Sequence, residues 1–280
     1  MGLWESVAGL PAGIASSFFS SFSNMLAAFI QPLLDVAKLL LTANIDPFHF
    51  QSFWQIIVAI ISSFYLLVFL VVGFKFLFGC YDAVQRKDAK EWFKKAVLLV
   101  ICVNASLLLY SLLLSVSSAV ALTIWNNQFE SVFSVSNLTA LDFIWLSVFA
   151  LFLFSAVVTL VARQIMLIVG VMLFPIGLFL YFLPPVKEYG SAILNLIGAV
   201  SFMNVLDVVI LAAVSLFWNE FAYIQVMGLL APSIGFLFIS LANGALAFFA
   251  IQKALNAVGI KVDLASTAAS LIGPALAAGA

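Results

Sequence analysis

The sequence predicts an all-α, polytopic integral membrane helix bundle of about six transmembrane helices plus an N-terminal amphipathic helix, and three observations predict it. Apolar residues fill 65% of the 280 positions and charged residues 8%, against roughly 45–50% and 25% in soluble domains. Eleven basic and 12 acidic side chains are too few to give a chain of 30.3 kDa a water-facing surface. The apolar runs are too long for strands and lack the alternation of a membrane barrel. A spanning helix takes about 20 apolar residues, so no large soluble domain fits beside six or seven of them. The net charge of −1 excludes a globally basic nucleic-acid binder and leaves room for one local basic patch.

Three regions are expected: an N-terminal amphipathic or interfacial segment (1–50), a transmembrane bundle (51–255) and a small-residue tail (256–280). The opening Met1-Gly2-Leu3-Trp4-Glu5 lacks the basic stretch of a cleavable signal and is expected to be a mature N-terminus. Residues 14–41 include Gln31, Asp35 and Lys38, while Phe22, Leu26, Phe29, Leu33, Val36 and Leu40 recur at helical spacing. That pattern predicts an interfacial or packing helix and not a lipid-facing span. Six strongly apolar segments follow, at 53–80, 97–125, 143–162, 164–183, 192–218 and 226–252. Several exceed 25 residues, so tilt, kinks or extensions beyond the bilayer are expected. Cys80, Cys102 and the single His49 form no metal or redox pattern, and no cofactor is expected.

The stretch 81–96 carries Arg86, Lys87, Lys90, Lys94 and Lys95. Read as a loop, it is cytoplasmic by the positive-inside rule. Topology signal and anionic-lipid contact are the plain readings of this charge; nucleic acid or a cytoplasmic partner is the sharper one. The next loop, 126–141, has no Lys or Arg and contains a glycosylation acceptor triplet at Asn137, usable only outside the cell. The two signals agree on a multi-pass plasma-membrane protein with an extracytoplasmic N-terminus. Counting onward places a cytoplasmic turn near Arg163, an outer loop at 184–191, an inner turn at 219–225 and an outer C-terminal tail. That count leaves Lys187, Lys253 and Lys261 outside, which the rule disfavours, and the side of the C-terminus stays open.

Polar groups inside apolar helices are costly, and they mark candidate sites. Asp207 lies near the centre of its segment with Asn204 one helical turn before it. This pair reads as an ion or proton pathway, or as an interhelical hydrogen bond or paired charge that fixes bundle geometry. Arg163 is the plausible partner, either at the interface in a tight hairpin or drawn into the bundle. Asn104, and Asn243 with Gly244, read as packing devices. Pro175 is expected to kink its helix, and Pro184 with Pro185 to end it.

Enzymatic chemistry needs a nucleophile and base, paired carboxylates, metal ligands or a nucleotide loop. One His and one deep carboxylate supply none of these, so a non-enzymatic protein is expected. The run Arg163-Gln164-Ile165-Met166-Leu167, then Leu173-Phe174-Pro175, then Leu180-Tyr181-Phe182-Leu183-Pro184 followed by Lys187 resembles the TrbL-like membrane subunits of type IV secretion and conjugation systems. The chain most resembles the archaeal branch, which includes the membrane component of Ced DNA import, in size and in its Phe- and Ser-rich style. Tyr189 stands near where that family usually carries a Trp. The resemblance implies a multimeric membrane assembly around a DNA-translocation path, powered by a separate ATPase. Its partners would be membrane lipids, other secretion-type subunits, further copies of this chain and DNA in transit. The rival readings are a self-contained small-solute or ion transporter with Asp207 as coupling residue, and a lipid-packing scaffold with no transport path.

Overall fold

The computed structural model describes residues 3–43, 45–79, 83–126, 142–221 and 227–257. The acceptor triplet at Asn137 and the tail beyond 257 lie outside these residues. Among the described residues every regular element is helical: α1 (Leu3–Thr42), α2 (Gln51–Phe78), α3 (Ala83–Asn104), α4 (Ser106–Asn126), α5 (Asp142–Phe182), α6 (Lys187–Phe221) and α7 (Met227–Ala257), with 3₁₀ turns at Pro47–Phe50 and Pro184–Val186. Six of these helices contain stretches long and apolar enough to cross a membrane. The chain is an all-α polytopic bundle.

The largest departure from the sequence reading is at Arg163. The two segments expected on either side of a turn there are one helix, α5, of 41 residues. Nothing between Ala162 and Gln164 favours a turn, and an uninterrupted ladder leaves no orphan backbone groups in the membrane. Helical structure also persists through Pro175, where the missing N–H removes one bond to the preceding turn. A second correction concerns the stretch 81–96: its residues from Ala83 onward are the first half of α3 and not a loop. The expected single segment 97–125 is divided only at Ala105, where Ala105 N donates to Ile101 O (2.9 Å) and Leu109 N to Ala105 O (3.0 Å). α3 and α4 therefore form one nearly continuous column.

α5 is the axis, touching α1, α2, α3, α4, α6 and α7. α1 packs along its first half, where Ile30, Leu34 and Leu41 share a core with Leu146, Phe149, Leu153 and Leu160. Of the two expected forms, interfacial or packing, the helix takes the packing one, and its stretch from Asn24 to Thr42 is also long and apolar enough to cross a membrane. α2 packs along the second half of α5 through Val58 and Ile61, near Ile176 and Phe179. α1 and α2 together make one traverse beside α5, running in its direction. α4 and α6 run against α5, and α7 runs with it, as Phe149–Phe236 (centroids 5.8 Å) and Ser155–Ser240 (2.7 Å) require.

This arrangement gives the bundle two chemically distinct poles. The α5–α6 turn lies at the α2–α3 end, since Leu183 packs against Val68, Val72 and Ala96. Lys75, Arg86, Lys87, Lys90, Lys94, Lys95 and Lys187, seven of the 11 basic residues, gather there. At the other pole the ends of α4, α5, α6 and α7 carry Asp142 and Glu220 and no Lys or Arg. The expected outer loop at 184–191 is therefore on the same side as the basic residues of α3, and the mismatch at Lys187 disappears with the turn at Arg163; Lys261 lies outside the described residues.

The α5–α6 hairpin closes over Gly190. A Cβ there would come within 2.6 Å of Tyr181 Cα and 2.7 Å of the Gly177 carbonyl oxygen, both backbone atoms that cannot step aside. Gly190→Ala is expected to destabilise the purified protein by about 1–3 kcal/mol. Gly73→Ala, where a Cβ meets nothing within 4 Å, is expected to be neutral or slightly stabilising. Thermal unfolding in detergent compares the two.

Candidate functional site

At mid-height of α5 the apolar interior holds a cluster of polar side chains drawn from three helices, joined by a backbone carbonyl from a fourth. Arg163 is 2% exposed, Asp207 0%, Asn243 3% and Asn204 6%. Arg163 Nη1 donates to Asp207 Oδ2 in a buried ion pair. Its Nη2 donates to Asn204 Oδ1 (3.0 Å) and to the Leu40 carbonyl of α1 (3.1 Å). From α7, Asn243 Nδ2 donates to both Asp207 oxygens (2.8 and 3.0 Å). Gln164 Nε2 also donates to the Leu40 carbonyl, at 2.6 Å.

Local structure places each group. Asn204 and Asp207 are three apart on α6 and so share a face. Leu40 lies in the last turn of α1, whose final carbonyls have no partner within the helix. A guanidinium at that position satisfies the carbonyl and meets the negative end of the helix dipole. Asn243 is held by its own helix as well, through Ile239 O at 3.0 Å.

Energetics favour a permanent contact. Each buried ion carries a desolvation cost of several kcal/mol, offset only by good geometry and additional hydrogen bonds. Here the carboxylate has both oxygens engaged, and four of the five guanidinium N–H groups belong to nitrogens with acceptors. Among the described residues Arg163 Nε, Gln164 Oε1 and Asn243 Oδ1 are buried without a partner. Beside Gln164 and Asn204 lies a small cavity of about 20 Å³, bounded also by Ser117, Ser118 and Ser201, large enough for one water molecule. An apolar crevice of about 140 Å³ lies further along α5 between Tyr110, Gly170 and Val200. Tyr110 closes one wall by donating to the Leu167 carbonyl at 2.7 Å.

The structure brings Arg163, Asn204 and Asp207 together, and it removes Asn104 from their company. Asn104 is exposed and folds back on its own helix, donating to Val100 O at 2.8 Å, beside the division between α3 and α4. That is the familiar competition of a short polar side chain with the helical ladder. Pro175 lies a dozen residues from the cluster on α5, and Pro184 and Pro185 form the 3₁₀ turn after it; none of the three touches it. The basic side chains of α3 are exposed at the basic pole. Two members were missed by sequence reasoning. Asn243 was assigned to packing, although an amide in an apolar helix carries the same signal as Asn204. The Leu40 carbonyl is a backbone group and has no signature in sequence.

Removing one member of the ion pair leaves the other charge buried. Arg163→Leu and Asp207→Leu are each expected to cost about 3–5 kcal/mol. The double substitution is expected to cost less than the sum of the two, and Asn104→Leu less than about 0.5 kcal/mol. Thermal unfolding in detergent measures all four variants, the first three closing a double-mutant cycle with the unaltered protein. Comparison with protein-family models, with curated proteins and with solved structures returned no match.

Proposed function

We propose that this chain is a non-enzymatic, multi-pass subunit of a larger plasma-membrane assembly, of the TrbL-like kind, contributing to a conjugation-like DNA-transfer or DNA-import apparatus. The observation that carries the assembly is the height of its apolar belt. The apolar stretch of α5, Leu146–Phe182, has 37 residues and a contour of roughly 55 Å at about 1.5 Å per residue. The hydrocarbon of a bilayer is about 30 Å thick, and a tilt of about 40° still leaves roughly 42 Å. Large apolar side chains stay exposed toward the pole away from the basic residues, with Met25 and Phe29 on α1. Apolar surface beyond the lipid needs a protein cover, which further copies or partner subunits supply.

The DNA-transfer reading rests on the run from Arg163 to Lys187, which is the second half of α5, its closing proline turn and the start of α6. Motive force would come from a separate ATPase. The transporter reading has less support: its coupling carboxylate, Asp207, has both oxygens bound by protein groups.

The positive-inside rule places the basic pole in the cytoplasm. With α5 as a single traverse the chain crosses an odd number of times, so the N-terminus is extracytoplasmic and α7 ends inside. A reporter fused after residue 257 is expected to read as cytoplasmic and one at the N-terminus as extracytoplasmic; the same side for both overturns this topology. Deleting the gene is expected to abolish DNA exchange between cells while growth continues, and unchanged exchange would falsify the DNA-transfer reading. Solute flux in liposomes that Asp207→Asn abolishes would favour the transporter instead.

A further inference from the structure

We infer that the first half of α3 is a binding surface for the headgroups of anionic phospholipids in the leaflet at the basic pole. This inference depends on the membrane setting and not on the DNA-transfer reading.

α3 buries one stripe, Ala89, Trp92 and Ala96, against α2. At about 100° per residue, Lys87, Lys90 and Lys94 fall on the opposite side within an arc of roughly 60°, with Arg86 at one edge of it and the acidic Glu91 at the other. All five are exposed, and the face keeps a net positive charge. The same face continues along the helix as exposed Val97, Leu98 and Ile101. One helix face thus changes from cationic to hydrocarbon-like within about one turn, between Lys94 and Val97. Such a change along a single face marks the level where acyl chains give way to phosphates, and it sets the cations at phosphate height.

The neighbouring side chains fit the same level. Lys75 Nζ lies 4.3 Å from the Trp92 ring centroid, and Lys187 Nζ lies 5.4 Å from that of Tyr181. Aromatic rings beside cations are the chemistry of the membrane interface. Leu77 and Phe78, exposed at 65% and 68%, end α2 close to these lysines. A face for duplex DNA or for a soluble protein would set such apolar side chains against water or phosphate without compensation; a lipid headgroup region accepts both kinds.

The test uses the full chain in a neutral detergent, titrated with phosphatidylglycerol or phosphatidylcholine and read by native mass spectrometry as retained lipid. Phosphatidylglycerol is expected to be retained roughly tenfold over phosphatidylcholine. Lys87→Gln, Lys90→Gln and Lys94→Gln together are expected to erase that preference. The corresponding three Lys→Arg substitutions, which keep the charge, are expected to preserve it and so separate lipid binding from misfolding. Equal retention of the two lipids, or a preference that survives the Gln variant, overturns the inference. Duplex DNA that displaces phosphatidylglycerol from the same lysines also overturns it and assigns the face to nucleic acid.

Discussion

The buried pair of Arg163 and Asp207 is the constraint on which the arrangement of the bundle depends. Apolar ridges of Leu, Val, Ile and Phe can slide past one another with little loss in a lipid setting, because lipid tails are as apolar as the partner helix. A guanidinium and a carboxylate cannot. Shifting α6 by one turn, about 5.4 Å, would part the two ions and leave each charge in the interior without its counter-ion. The hydrogen bonds to Asn204, Asn243 and the Leu40 carbonyl then extend that requirement to α1, α6 and α7. One interaction fixes the register of four helices.

The same pair explains why the first traverse is made of two helices and the third of one. α1 ends where its last carbonyls meet Arg163 and Gln164, and the chain resumes as α2 after a 3₁₀ turn. α5 must pass the same level without a break to present Arg163 inward. With α5 continuous, Lys187 moves to the pole that already holds the basic residues of α3. The segregation of charge at the two ends is therefore a consequence of the helix that the ion pair requires.

The membrane class, the apolar runs and the candidate members of the ion pair were legible because each rests on composition, run length or the cost of a lone polar group in an apolar helix. The course of the chain at Arg163 was not. A charged residue between two apolar runs of about 20 residues is compatible with an interfacial turn and with a buried partner, and hydropathy gives the same profile for both. The basic stretch 81–96 misled in the same way: high charge suggested a loop, while its apolar positions Ala89, Trp92 and Ala96 already carried helical spacing. Asn104 and Asn243 were indistinguishable in sequence, since whether an amide bonds its own helix or a neighbour's depends on which way the face points. The height of the belt was visible only once two runs became one helix.

Whether the cluster is a lock or a switch turns on where Arg163 could go. A coupling carboxylate must alternate between its protein partner and a cation, and the displaced guanidinium then needs a second anion. Among the described residues Asp207 is the only buried carboxylate, so a released Arg163 would remain charged in the interior with only amide and carbonyl dipoles around it. That state lies higher by much of the desolvation cost of an ion, several kcal/mol, and a ligand must supply this difference in affinity to populate it. The small cavity beside Gln164 and Asn204 has room for about one water molecule, too little to hydrate a freed guanidinium. Both considerations weigh toward a lock, a contact that stays closed and holds α1, α5, α6 and α7 in one register.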